Sequence, residues 1–463
     1  MRPKTLTYWF VLFGLLLYPP AHAHAYAHPN PALNEQVLEL PGDPLHPVLL
    51  QVTLMEPNGS GPFPLAVLNH GKAVGNPRFA PRYRSVYAAR YFLSRGYAVA
   101  LPMMRGFAGS GGTFRPSCSA EADGIHEARD IIAVIEDLSK RKEIDTHRIV
   151  VFGQSYGGWN SLALGALNYP GVKGIIDFAG GRKAPTCGDW QDDLAAAAGA
   201  FGGLTKVPSI WFYGNNDAIF PTPVWRAMYR NYTAAGGKAQ LVAYGRFLNN
   251  SHNFLGDIEA LPIWIPKVDA FLARIGLPSR DLHPSLLPAP YPKPTHFAAL
   301  DDVRAVPNLN RQGRQSYRAF LRIKVRPRVF LLGRKIIVTT NGGYDPLARG
   351  LKLCRQAGHR CWPYAVDDQV VWPFRHMVIP PPSHYAKLDN IAAVPYVNVV
   401  GRNGYRRFLT LPLPRVFVIA PDGAWDFGAR GFDPLARTLA LCRKRNTDCH
   451  PYAVNNHVVW RGE

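Results

Sequence analysis

The stretch VVFGQSYGGWN, residues 150–160, sets one serine between two glycines, straight after a strand-like apolar run and straight before a helix-like one. Few local patterns constrain a backbone so tightly. To lift Ser155 off the strand end, the chain must turn sharply through a strained conformation. The flanking positions then lie so close to strand and helix that side chains would collide, and Gly153 and Gly157 relieve this. The helix opening at Tyr156 adds a positive dipole end and a free N–H beside the hydroxyl. Gly153-Gln154-Ser155-Tyr156-Gly157 is thus a G-x-S-x-G pentapeptide in a strand–turn–helix context, which predicts Ser155 as a nucleophile. The bland alternative is a tight packing turn.

The surroundings extend this pattern. Between residues 36 and 280, apolar runs such as FPLAVLNHG, YAVALPMMRG, RIVVFGQS, VKGIIDFAG, PSIWFYGNND and AQLVAYG alternate with helix-like stretches. Strands apolar throughout and separated by helices predict an α/β domain with a doubly wound, mostly parallel sheet covered on both faces. AAAAGAFGG at 195–203 reads equally as a helical flap or a packing segment. DLHPSLLPAPYPKPTH at 281–296 is too proline-rich for a helix or an interior strand and reads as a stiff linker.

Beyond the linker the chain repeats itself. LDDVRAVPNLNRQGRQSYRAFL matches LDNIAAVPYVNVVGRNGYRRFL, DPLARGLKLC matches DPLARTLALC, and CWPYAVDDQVVW matches CHPYAVNNHVVW. The units are placed at 297–374 and 375–463, and the hydrolytic domain candidate at 28–280. Each unit carries its own C-x6-C pair, which predicts local bridges Cys354–Cys361 and Cys442–Cys449 in two small α+β modules. Cys118 and Cys187 then pair within the first domain. Cysteine pairs with no His or Asp partner make poor zinc sites, so no metal is expected.

A serine hydroxyl needs a base and a group to orient that base. In a sheet of this kind the order is Ser, acid, His. Asp217 follows the strand WFYGNND, and His252 follows the next, AQLVAYG. They are the predicted acid and base. The alternative for Asp217 is a helix cap. His46, His126 and His147 precede the serine and read as helical or surface residues. Two backbone amides should meet the oxyanion, those of Tyr156 and of Lys72 in the turn after PLAVLNHG. His70 reads as a residue that orients that turn, and the glycine-rich loop at 103–114 as a wall near the site, anchored by Arg105.

NHG at 69–71, RGFAGSGG at 105–112, GQSYGG at 153–158, GNND at 214–217 and SHNF at 251–254 together make the first domain resemble the α/β-hydrolase superfamily. Within it the resemblance is to dienelactone hydrolase-like and prolyl-oligopeptidase-like serine hydrolases, and it implies a Ser155–His252–Asp217 triad with no cofactor. A serine where dienelactone hydrolases use cysteine favours general carboxylester chemistry. The chain before residue 36 is too short for the propeller of prolyl peptidases, so peptidase activity is the alternative. The duplicated modules resemble no family of known function.

MRPK followed by the apolar run TLTYWFVLFGLLLY and the small residues of PPAHAHAYA predicts a signal peptide over 1–27 and a secreted or periplasmic protein. No other stretch is long and apolar enough to span a bilayer, so no transmembrane segment is expected. Net charge is +21, and residues 281–463 hold 27 Lys+Arg against 12 Asp+Glu, or +15 of it. A basic exported module fits an anionic envelope polymer as partner, and an envelope-binding protein is the second alternative. Export disfavours nucleic acid.

Overall fold

The computed structural model describes residues 28–374, 377–429, 433–445 and 448–462. Among them the chain forms two compact units, one ending at Pro290 and one starting at Tyr291.

The first unit is built on an eight-stranded sheet. Its strands are β1 (Gln36–Pro41), β2 (Leu49–Met55), β3 (Phe63–Asn69), β4 (Ala98–Pro102), β5 (Ile144–Gln154), β6 (Val172–Phe178), β7 (Ser209–Gly214) and β8 (Ala239–Gly245). The spatial order is β1-β2-β4-β3-β5-β6-β7-β8, with β2 antiparallel to both neighbours and all pairs from β4 to β8 parallel. The helices are α1 (Val86–Ser94), α2 (Ala120–Leu138), α3 (Tyr156–Ala166), α4 (Trp190–Leu204), α5 (Thr222–Ala234) and α6 (Leu261–Arg274). Val67, Val151, Ile175, Trp211 and the α3 side chains lie in one core, and every residue of α3 is buried. A wholly buried central strand flanked by helices reads as an unbroken apolar run, which is why the sequence pattern exposed β3 to β7. The edge strand β1 and helix α4 were not legible in that way. α4 is a packing element: Leu194, Ala197, Ala198 and Phe201 face the core, and Asn231 Nδ2 of α5 donates to Ala195 O at 2.9 Å.

The chain runs from β3 to β4 on one side, then back across β3 to β5. That reversal puts a crevice at the carboxyl ends of β3 and β5, the position at which doubly wound sheets bind ligands.

The second unit contains two modules of one design. The first has α7 (Arg311–Arg322), β9 (Arg328–Gly333), β10 (Ile337–Asn341), α8 (Pro346–Gln356), β11 (Cys361–Val366) and β12 (Gln369–Val370). The second has α9 (Val399–Leu409), β13 (Arg415–Ile419), β14 (Trp425–Ala429), α10 (Pro434–Cys442), β15 (His450–Val454) and β16 (His457–Val458). Each sheet is antiparallel, ordered β10-β9-β11-β12 and β14-β13-β15-β16. Strand alternation splits the core in two. Phe330 and Leu332 join Tyr317 and Phe320 of α7, while Val329 and Leu331 join Leu347 and Cys354 of α8. Phe417 and Ile419, against Val416 and Val418, repeat the split in the second module. All three cysteine pairs are bonded: Cys118–Cys187, Cys354–Cys361 and Cys442–Cys449.

The proline-rich stretch 281–296 is divided between the units. Leu282 N donates to Ser94 O at 2.7 Å in the first, and Thr295 N donates to Val370 O at 3.0 Å in the second. Ser383 N makes the equivalent bond to Val458 O at 3.0 Å, so the repeated design reaches upstream of the residues whose identities match.

Candidate active site

The elbow is built by exclusion. Ser155 sits at φ +57°, ψ −125°, between the end of β5 and the start of α3. A non-glycine residue held there costs about 1–3 kcal/mol, which the surrounding structure must supply. Ser155 N donates to Phe178 O at 3.0 Å, and Gly181 N donates to Ser155 O at 3.1 Å, so β6 and its following loop brace both sides. A Cβ at Gly153 would stand 2.4 Å from the Gly157 carbonyl, and one at Gly157 would stand 2.0 Å from Asn69 O. Both glycines are therefore steric requirements of the turn. Below it, Gly158 lets α3 approach Asp177, whose Oδ1 a Cβ there would meet at 2.2 Å. Burial pushes the Asp177 carboxyl up to about 7, against the opposing pull of the Tyr213 hydroxyl and the Gly180 N–H.

The loop after β3 lies against Ser155. A Cβ at Gly71 would be 3.0 Å from Ser155 Cβ and 3.6 Å from Ser155 Oγ. His70 fixes this turn: Nδ1–H donates to Gly71 O and Nε2 accepts from Met104 N–H, both at 2.9 Å. Burial pulls its pKa down to about 4, so the imidazole stays neutral and both nitrogens are occupied. It holds the turn and moves no proton. Lys72 follows at the exposed start of the 72–76 loop.

Asp217 and His252 meet at the ends of β7 and β8. His252 Nδ1–H donates to Asp217 Oδ2 at 2.9 Å, and Oδ1 accepts from Ile219 N at 2.7 Å and Phe220 N at 2.9 Å. The Asp217 side chain is wholly buried, and that of His252 is 12% exposed. With Nδ1 engaged, Nε2 is the nitrogen left to accept a proton. Ser155 is tied to this pair through its neighbour, since Gln154 Nε2 donates to His252 O.

Sequence reasoning missed the residues that lock these loops. Asn250 Oδ1 accepts from Ala218 N at 3.1 Å and from His252 N at 3.0 Å. Asn216 Oδ1 accepts from Phe247 N at 3.0 Å, while its Nδ2 donates to Leu248 O at 3.1 Å. Each loop thus lends the other an asparagine. The doublets NN at 215–216 and 249–250, one just before the acid and one just before the base, were the available signal.

An aromatic and thioether cluster packs against the turns at His70 and Tyr156. Met103, Met104, Phe107 and Tyr156 form a buried cluster with Tyr83 and Phe114 against it. Phe220 lies between Trp190 and His252, with ring centroids at 6.4 and 5.6 Å. Arg105 anchors the glycine-rich loop through Asp130, with Nε and Nη2 at 2.8 and 2.7 Å from its oxygens. Among the described residues, the one group of three metal-competent side chains is Asp43, His46 and His126, which excludes Ser155, Asp217 and His252.

A serine on a strained turn at the switch point of this sheet, with a buried Asp217–His252 pair at the ends of β7 and β8, is the layout of the α/β-hydrolase fold. Comparison with known proteins adds a family match over part of the domain. Residues 46–203, about a third of the chain, match the family model described as X-Pro dipeptidyl-peptidase (S15 family). That span includes Ser155 and ends before Asp217 and His252. No curated protein matches in sequence. Among solved structures, an esterase of Pyrococcus furiosus is similar at 15% identity over 54% of this chain and 96% of its own, with TM-score 0.40. The dipeptidyl peptidase 4 of Porphyromonas gingivalis is similar at 17% identity over 52% of this chain and 35% of its own, with TM-score 0.42. An acylaminoacyl peptidase of Pyrococcus horikoshii is similar at 14% identity over 54% of this chain and 43% of its own, with TM-score 0.41.

Proposed function

We propose that the protein is an exported carboxylester hydrolase working through Ser155, His252 and Asp217. The carrying observation is the 2.9 Å Asp217–His252 bond, linked through Gln154 to the strained turn at Ser155. His252 Nε2 takes the Ser155 proton as Oγ bonds to the acyl carbon, and returns it to the leaving alkoxide. Water then attacks the acyl-enzyme by the same route, releasing the acid. Asp217 holds the imidazolium. The amides of Tyr156 and Lys72 receive the oxyanion charge. Export is supported by the N-terminal pattern and by three disulfides, which are rare in reducing compartments.

The S15 family match favours one second reading, a peptidase acting on small peptides. Fluorophosphonate labelling of the full chain tests the nucleophile, and the Ser155→Ala variant should take up no label. Turnover of p-nitrophenyl acyl esters against aminoacyl-p-nitroanilides tests the substrate. The ester reading expects esters to turn over at least about a hundredfold faster. Equal rates on the anilides favour the peptidase.

The basic unit from Tyr291 onward is the part we assign to an anionic envelope polymer, measurable as salt-dependent retention on an immobilised polyanion. Arg311, Arg314, Arg318 and Arg322 are all exposed on α7, a helix with no acidic residue.

A further inference from the structure

We propose that Asp43, His46 and His126 bind one borderline divalent cation of the Zn²⁺ class. Asp43 and His46 lie in the connection between β1 and β2, and His126 lies on α2, so the site would join two elements distant in sequence. Their donor atoms all fall within 4.8 Å of one another.

Asp43 is already organised as a ligand. It is buried, its N–H donates to Asp130 Oδ1 at 2.7 Å, and its own Oδ1 accepts from Leu45 N at 3.0 Å. That leaves Oδ2 facing His46 Nδ1 at 3.1 Å. A tetrahedral zinc with bonds of about 2.0–2.2 Å sets its donors about 3.3 Å apart, so this pair has the required separation. The rings of His46 and His126 meet edge to face with centroids 5.1 Å apart. Among the described residues no hydrogen bond holds the His126 ring, and a side-chain rotation that closes a gap of at most about 1.5 Å completes a two-imidazole, one-carboxylate set. Water fills the fourth position.

The local charges permit this. Arg105 is the cation nearest the site, but both its contacting nitrogens are matched by Asp130, and Nη2 also donates to His46 O at 3.1 Å. Arg129 and Asp130 are the ionisable groups of α2 that act on the cluster, Arg129 on Asp43 and Asp130 on His126. Arg105 opens the glycine-rich loop beside the active site, so the cation would fasten the β1–β2 connection to α2 next to that anchor.

The test is zinc titration by calorimetry of the full-length protein after chelator treatment. Wild type should bind one Zn²⁺, and His126→Ala and His46→Ala should each weaken it at least about tenfold. His46→Ala removes a side chain that is 54% exposed, so this variant should fold even if His126→Ala does not. Zinc should raise the melting temperature of wild type and leave that of the double variant unmoved. His457→Ala, an exposed histidine of the second module, should bind as wild type does. Undiminished affinity in the double variant, or no binding by wild type at about 100 µM Zn²⁺, overturns the proposal. The esterase reading is untouched by either result.

Discussion

The two C-terminal modules solve one problem twice, and they differ where the problem allows. In each, a buried arginine closes the end of the first helix. Arg328 Nη1 donates to Phe320 O, Leu321 O and Ile323 O at 3.0, 2.8 and 2.8 Å. Arg415 Nη1 does the same to Phe408 O, Leu409 O and Leu411 O. Each guanidinium also lies over a ring, Phe320 at 4.9 Å and Phe408 at 5.0 Å. Carbonyls left short of donors at a buried helix end are costly, and in each module the arginine supplies the donor. The group that faces its other nitrogen is freer to change. Arg328 Nη2 pairs with Asp368 Oδ1 at 2.8 Å, whereas Arg415 Nη2 meets the neutral Asn456 Oδ1 at 3.1 Å. Helix-to-sheet packing varies in a compensated way. The first module sets Ser316 and Ile337 where the second sets Gly404 and Trp425. The lesson is that geometry at a helix terminus is fixed, while charge and volume around it can be exchanged in pairs.

The largest difference concerns the helix surfaces. Positions 311, 314, 318 and 322 of α7 are all arginine, while their counterparts are Val399, Arg402 and Arg406 on α9 and Thr410 just after it. If the modules hold a polyanion, reversing the four α7 arginines to glutamate should weaken retention about a hundredfold and flatten its salt dependence. Reversing Arg402 and Arg406 should do less. Equal losses from both helices would erase the contrast, and no loss from either would remove the polymer reading.

A middle-sized effect tests the compensated packing. A Cβ at Gly404 would stand 2.3 Å from the Trp425 ring. Gly404→Ser, which installs the first module's residue, should cost about 1–3 kcal/mol by urea denaturation. Adding Trp425→Ile should recover part of that loss. A double variant no more stable than the single would mean that the two positions are not coupled.

The smallest effect is electrostatic. Burial pushes the Asp368 carboxyl up, but hydrogen bonds and charge from Arg326 and Arg328 outweigh it and hold its pKa below the usual carboxylate range. A depressed pKa stabilises the fold above the unfolded value near 4, and that gain is lost as pH falls through the folded value. Asp368 is half exposed, so solvent screening limits the contribution to less than about 1 kcal/mol. Asp368→Asn should flatten the acid limb of the first module's melting profile towards that of the second. An unchanged profile would mean that the pair carries no net stability.

What was legible in the sequence was what sterics and burial write into residue type. Glycines at 153 and 157 admit no other residue, and fully buried strands read as apolar runs. Local cysteine pairs announce themselves because each was copied with its module. The rest was hidden because a side chain's partner does not show in its type. Arg328 and Arg415 look like any other arginine of a basic segment, yet they are buried. Asn216 and Asn250 look like loop filler, yet each crosses about 30 residues of sequence to bind a backbone group of the other loop. Edge strand β1 is mostly exposed, with only Leu40 buried, and α4 is rich in alanine and glycine, so neither carries a strong period.

Those crossed asparagines have a mechanical consequence. The segments around 216–218 and 247–252 are stitched together at Ala218 N, Phe247 N and Leu248 O, so they are held as one body. When that body shifts, imidazole and carboxylate travel together and the distance between them is preserved. Displacement is felt instead at the seam with the serine, where the Gln154 amide is the single described stitch. If Ser155 and His252 work as nucleophile and base, misalignment by thermal motion or by a bulky substrate would open the array between them and leave His252 and Asp217 in register.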